Sequence, residues 1–219
     1  MSAVLTELVV GDDPESWAAA GFTVDGDSTR IGTVRLRLVG AGERRGILSW
    51  SLAGLDRPVS AVDTVDGLPT SVAPEPTPPQ PPIDHPNGTV AFDHLVLLSP
   101  DLGRTTSALE SLGIEPRRHR DVGSDDAPRR QVFFWIGEPV LELVGPREPS
   151  GDGPVRFFGV ACTVADIDWT KAALGDRVGR IKDAVQPGRQ ITTLRHRDLD
   201  MSVPIAFMSP HVRIDTHDA

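Results

Sequence analysis

Residues 90–102 read Val-Ala-Phe-Asp-His94-Leu-Val-Leu-Leu-Ser-Pro-Asp-Leu, and residues 155–167 read Val-Arg-Phe-Phe-Gly159-Val-Ala-Cys-Thr-Val-Ala-Asp-Ile. Laid over one another, the two stretches set His94 opposite Gly159. Each leads into a short helical pattern that stops at a glycine, Gly113 in one and Gly175 in the other. Each unit then closes on an apolar run, Leu141-Glu142-Leu143-Val144-Gly145-Pro146 or Ile205-Ala206-Phe207-Met208-Ser209-Pro210, which sets Glu142 opposite Ala206. A unit of this length used twice reads as one supersecondary module packed against its copy. The first copy carries a His and a Glu where the second carries Gly and Ala.

Between those anchors, Ser99-Pro100 opens a predicted helix that runs to about Leu112, with Leu102, Leu109 and Leu112 near one face. Gln131 to Ile136 and Val140 to Val144 flank a Gly137-Glu138-Pro139 turn, the pattern of a hairpin. In the second copy, Asp166 or Asp168 caps a helix ending near Leu174. Pro187-Gly188 is a tight turn there, and Gln190 to Leu194 and Val203 to Met208 are the later strands. Arg117, Arg118, His119, Arg120, Arg129 and Arg130 are interleaved with Asp121, Asp125 and Asp126, and read as a solvated loop. Short helices mixed with antiparallel strands give an α+β class.

The prolines of residues 74–82 form a semi-rigid, extended spacer, so residues 74–87 read as a linker. Ahead of it, residues 1–73 look like a worn extra copy. Val4 to Val10 is a strand pattern, Asp13-Pro14 opens a helix closed by Gly21, and Val34 to Val39 alternates. Gly46 to Asp56 reads as a further opening strand. The overlay sets Thr6 opposite His94 and Arg37 opposite Glu142, so no ligand set is expected in this region.

The chain has 219 residues, with 31 acidic side chains against 22 Lys plus Arg, a formal charge of −9. That balance excludes the basic footprint of a nucleic-acid binder and the polybasic patch of a membrane-surface protein. Cys162 is the single cysteine, so neither an intramolecular disulfide nor a Cys-based zinc site is expected, and it reads as a buried structural thiol. No stretch approaches the ~18 apolar residues of a membrane span, and no charged leader precedes an apolar run, so a soluble cytoplasmic protein is expected.

His94 lies mid-strand with Val96 and Leu98 on its face, and reads either as a satisfied core histidine or as a ligand. Glu142 is costly to bury in an apolar strand without a cation, a donor, a proton or water, which points it toward a wet pocket. Glu142 is therefore also a candidate general base for proton abstraction next to a carbonyl. Gln131, Trp135, Gln190 and Thr192 are candidate ligand-binding wall residues, with ordinary strand positions as the alternative for each. His196 sits among charged neighbours and reads as exposed, while His85 and His211 carry no assignment.

The His-bearing first strand, the Ser99-Pro-Asp-Leu102 helix start, Phe134-Trp-Ile-Gly137 and the Leu141–Pro146 closing strand together resemble the glyoxalase/bleomycin-resistance/dioxygenase group, the vicinal oxygen chelate superfamily. The resemblance covers residues 88–210. It implies paired βαβββ modules, 88–147 and 153–210, whose curved antiparallel and mixed sheet surrounds a pocket within residues 88–219. It also implies divalent-metal ligands from both modules, often two His and two Glu, and a homodimer. Only His94 and Glu142 match, since Gly159 and Ala206 have no ligating side chain. A third ligand would have to come from His196 or Gln131, from a second subunit, or from the substrate. The expectation is a small-molecule-binding protein of the bleomycin-resistance type with a degenerate metal site and no cofactor. The alternative is a glyoxalase-like enzyme (lyase, isomerase, epimerase or dioxygenase) using His94 and Glu142 with a divalent metal.

Overall fold

A computed structural model describes residues 3–55, 64–75 and 80–211. Its first half runs β1 (Val4–Val10), α1 (Pro14–Ala19), β2 (Ser28–Ile31), β3 (Val34–Leu38), β4 (Ile47–Ala53), β5 (Thr64–Val65) and β6 (Leu68–Val72). The second half runs β7 (Thr89–Leu98), α2 (Leu102–Glu110), β8 (Pro116–Ser124), β9 (Ala127–Trp135) and β10 (Val140–Pro146), then β11 (Arg156–Val164), α3 (Ile167–Leu174), β12 (Lys182–Asp183), β13 (Gln190–Thr193) and β14 (Ile205–Met208). The eight later strands form one mixed sheet ordered β12-β13-β14-β11-β7-β10-β9-β8. Its halves have the same wiring. The first strand of each pairs in parallel with its last, β7 with β10 and β11 with β14, and β7 and β11 join the halves antiparallel. This is an α+β fold of paired βαβββ units.

Helix α2 begins later and ends sooner than the sequence pattern predicts. Asp101 sets its start by accepting from the Arg104 amide at 3.0 Å, and the chain leaves the helix before Gly113. Asp166 caps α3 in the same way, through the amides of Asp168 and Trp169. The charged stretch expected to be a loop is instead a hairpin, β8 against β9, with Arg118 beside Phe133 and Arg120 beside Gln131. Its strand pattern is hidden because β8 is an edge strand exposed on both sides. Charged side chains there discourage pairing with another sheet. Arg118 nonetheless lays its guanidinium 4.8 Å from the Phe133 ring centre.

The first half repeats the arrangement more fully than its sequence suggests. Its six-stranded sheet is ordered β2-β3-β1-β4-β6-β5, with β1 and β3 parallel and β4 antiparallel to β1. Strands β5 and β6, which fall outside the sequence reading, complete a second unit beside β4. Phe22 stacks on Phe207 with centroids 6.2 Å apart, and Trp50 meets Phe157 edge-on at 5.7 Å, so the halves share one apolar core. Polar welds add to it. The Glu138 carboxylate accepts from the amides of Thr33 (2.7 Å) and Phe92 (3.0 Å). Gly32, at φ 58°, makes room for that carboxylate, since a Cβ there would lie 1.9 Å from its Oε1.

Of the proline-rich spacer, residues 76–79 lie outside the described residues. Residues 80–85 carry neither helix nor strand and are pinned to the first half. His85, given no role by its sequence context, is buried there. Its Nδ1 accepts from the Thr23 amide at 3.0 Å, which leaves Nε2–H to donate to the Arg30 carbonyl at 3.1 Å. Burial lowers its pKa, in keeping with a neutral ring in that role. Cys162 is buried as expected, and burial pushes its thiol well above the ordinary range. Among the described residues no helix is long and apolar enough to cross a membrane.

Candidate functional site

Each opening strand carries an extra residue at the same place, and β7 has a second one, Val90, near its start. In the β7–β11 ladder Ala161 faces His94 and Cys162 faces Phe92, so Asp93 is left over. The same ladder skips Phe158 of β11, just before Gly159. In the β1–β4 ladder the skipped residues are Thr6 of β1 and Leu48 of β4. A bulge turns two consecutive side chains toward one face. Phe92 and Leu95 are both buried, so Asp93 and His94 both look out on the opposite side. The repeat therefore aligns Asp93-His94 with Thr6-Glu7 and Phe158-Gly159. This corrects one sequence equivalence: Glu7, not Thr6, stands in for His94. Arg37 does stand in for Glu142, because Glu7 faces Arg35 just as His94 faces Val140, with Arg37 and Glu142 two residues further on. Glu7 and Arg37 form an ion pair at 3.6 Å.

His94 and Glu142 come together at the floor of a cleft of about 590 Å³, walled by Phe133, Trp135 and Val140 and bordered by Arg117, Arg118 and His211. His94 Nε2 lies 3.5 Å from Glu142 Oε2. The other ring nitrogen, Nδ1, is 2.9 Å from Asp93 Oδ1 and donates to it. Asp93 Oδ2 accepts from Thr163 Oγ1 at 2.7 Å and from Arg189 Nη2 at 2.5 Å. Burial alone would raise the Asp93 pKa, but the hydrogen bonds from His94, Arg189 and Thr163 prevail and hold it well below the usual carboxylate range. Glu142 has its own support. Arg120 donates twice to Gln131 Oε1, which fixes the amide so that Gln131 Nε2 donates to Glu142 Oε1 at 2.5 Å.

Of the residues singled out from sequence, Trp135 lines the cleft beside His94 and Glu142, while Gln131 reaches Glu142 through its amide. Gln190 and Thr192 are not brought there. Gln190 is exposed, paired with Asp183 across the β12–β13 ladder. Thr192 is fully buried, its hydroxyl given to the Gly179 carbonyl, because the alternation of β13 turns it inward. His196 sits in a short 3-10 turn and is not part of the cleft wall. Asp93, Thr163, Arg189, Arg120 and His211 belong to the site and were missed. Asp93 did leave a trace: the apolar pair Phe92 and Leu95 breaks the two-residue period at Asp93-His94. Arg189 left none, because it follows a Pro-Gly turn and enters the site only through tertiary packing.

No protein-family profile matches the sequence, and no curated protein matches it significantly. Solved structures do share the architecture. The chain superposes on a triple-substituted variant of 4-hydroxymandelate synthase from Streptomyces coelicolor with a TM-score of 0.64 at 12% identity, covering 96% of this chain and 93% of that one. An extradiol ring-cleaving dioxygenase from B. fuscum gives a TM-score of 0.60 at 16% identity, over 96% of this chain and 72% of that one. A halotolerant catechol dioxygenase gives 0.57 at 16% identity, over 99% and 88%.

The chain has the vicinal oxygen chelate fold.

A divalent ion is the group this fold brings to mind, and the donor set tests it. His94 Nε2 and Glu142 Oε2 are close enough to share one ion, and Asp93 on Nδ1 is the usual outer partner of a ligating histidine. The described residues add no third ligand. Among the described residues no three His, Cys, Asp or Glu side chains gather to hold a metal ion. Asp93 is committed to Arg189, and Gln131 turns its NH2 rather than its oxygen toward Glu142. At Gly159 a Cβ would lie 2.5 Å from the Pro204 carbonyl oxygen, so the second copy's ligand position is filled by backbone. Three protein ligands are the norm for a catalytic zinc site. The described residues do not fit the divalent ion that the vicinal oxygen chelate fold implies.

Proposed function

We propose that this chain binds a small organic molecule in the cleft above His94 and Glu142, without a metal ion. One observation carries the reading. A histidine nitrogen and a carboxylate oxygen lie side by side at the floor of an aromatic-walled cleft of ligand size, each held from behind by its own arginine-anchored partner. The apolar walls take the body of a ligand, and the His94–Glu142 pair takes a hydrogen-bonding head.

The test is a thermal-shift screen of neutral and anionic aromatic compounds against the full chain, with and without a chelator. A binder present at 100 times its Kd stabilises the fold by about 2.7 kcal/mol. The shift is expected to survive chelation and to fall in Glu142→Gln. The apo stability of that variant should change by less than about 1 kcal/mol. The new amide oxygen can still accept from Gln131, and its NH2 can donate to His94 Nε2. A chelator that abolishes every shift, or a Glu142→Gln loss of several kcal/mol, would sink the reading.

The Asp93–His94 hydrogen bond favours a second reading, a proton-transfer enzyme. A histidine whose Nδ1–H is held by a buried carboxylate presents Nε2 as a base. Glu142 then serves as the second acid–base group. Deuterium exchange into carbon acids next to a carbonyl measures this. His94→Gln should slow the exchange by on the order of 10²–10⁴-fold. Exchange no faster than in buffer, across a broad panel, rejects this reading and leaves binding alone.

A further inference from the structure

We propose that Arg189 is the positioning residue of the cleft: its guanidinium orients Asp93, and Asp93 in turn fixes which nitrogen of His94 faces the ligand. The inference rests on the reading of the cleft as a site, and adds how the second module takes part after losing its own ligand positions. Arg189 precedes β13, on the second module, and its side chain is 1% exposed. Each of its nitrogens is used. Nε donates to the Ser209 carbonyl at 2.8 Å. Nη1 reaches Gln186 Oε1 at 3.4 Å and His211 Nε2 at 3.2 Å. Nη2 reaches Asp93 Oδ2 at 2.5 Å and Thr163 Oγ1 at 3.2 Å.

The order of donors along this chain dictates the tautomer. The guanidinium can only donate, so it takes Asp93 Oδ2 as its acceptor. Asp93 Oδ1 is then turned to His94 Nδ1 at 2.9 Å, a closer contact than Glu142 Oε2 makes with Nε2 at 3.5 Å, so in the neutral ring Nδ1 carries the proton and Nε2 keeps its lone pair toward the cleft. A bulge holds Asp93 on the same face as His94, so the contact does not depend on a flexible segment. Gln186 and His211, both touching Arg189, also line the cleft, so the same guanidinium ties its far wall to the histidine.

Long-range proton–nitrogen correlation spectra of the 15N-labelled full chain at mildly alkaline pH read the tautomer directly, with His94→Gln used to assign the signal. The wild type should show His94 mainly as Nδ1–H, the reverse of the free ring. In Asp93→Asn the guanidinium should claim the amide oxygen. The NH2 group then faces Nδ1, and the ring should switch to Nε2–H. Adding Arg189→Met to Asp93→Asn frees that amide to turn over, so the Nδ1–H form should return in part. A purely structural Arg189 would move the melting temperature without inverting the tautomer. A wild-type Nε2–H ring, an Asp93→Asn ring that stays Nδ1–H, or a double variant identical to Asp93→Asn each overturns the proposal. If the double variant does not fold, the first two spectra still decide. None of these spectra involves a ligand. An empty ligand screen beside the expected tautomers would therefore defeat the function and leave Arg189 standing.

Discussion

Replacing Arg189 by methionine is expected to destabilise the fold by about 3–5 kcal/mol at neutral pH, because it strands the buried Asp93 carboxylate. Asp93 keeps His94 and Thr163 as donors, but loses its only cationic side-chain partner among the described residues while its own side chain is 9% exposed. The effect should depend on pH in a stated direction. The folded-state pKa of Asp93 is depressed below its ordinary 3.8, with burial opposing the shift and the hydrogen bonds from His94, Arg189 and Thr163 driving it. A depressed carboxylate contributes stability above its unfolded value of about 3.9, and that contribution is lost as pH falls from there toward the folded value. Arg189→Met weakens the depression, so the gap between variant and wild type should narrow as the pH drops below about 4. Urea unfolding of both chains at neutral pH and at about pH 3 measures it. A loss under about 1 kcal/mol at neutral pH would show that Asp93 is not held as described.

The second large effect is expected at Asp12, which joins the two halves of the molecule. Its side chain is fully buried. Oδ1 accepts from the Ser202 amide at 2.9 Å, from its hydroxyl at 2.5 Å and from Arg45 at 3.3 Å, and Oδ2 accepts from Trp17 Nε1 at 3.3 Å. Asp12→Ala leaves the Trp17 and Ser202 N–H groups without an acceptor, and each orphaned donor costs about 1–3 kcal/mol. A total of about 3 kcal/mol is expected by urea unfolding. Asp12→Asn should recover part of this, since one amide oxygen still serves Ser202 while its NH2 opposes the Trp17 N–H. Equal losses in the two variants would contradict the geometry.

The sequence overlay of residues 90–102 on 155–167 proves to be the structural one, because both stretches carry their bulge at the same step and stay in phase. The overlay of Val4–Val10 slipped by one residue. Thr6 is the extra residue of that strand, and its trace is the one Asp93 leaves: apolar Leu5 and Leu8 flank Thr6-Glu7 as Phe92 and Leu95 flank Asp93-His94, a break in the two-residue period that the overlay passed over. Strand β8 was hidden for a different reason. Exposed on both faces, it shows no alternation, and Arg117, Arg118 and Arg120 look like loop residues until Phe133 and Gln131 lie beside them. His94 and Glu142 were legible as a pair because each interrupts an apolar strand. Their supports were not, since Arg189 and Arg120 reach them across the fold from segments with no pattern of their own. Gln190 and Thr192 take the alternative their sequence left open, ordinary strand positions, one exposed and one buried, because a short strand does not say which of its faces meets the cleft.

Calorimetric titration of zinc, nickel, manganese and ferrous ions into the chelator-treated full chain tests most directly whether this cleft works without a metal. With two donors in place of three, only weak, non-saturating heats are expected, unchanged in Glu142→Gln and His94→Gln. Saturation at one ion per chain, lost in both variants, would contradict the account and return the cleft to metal chemistry.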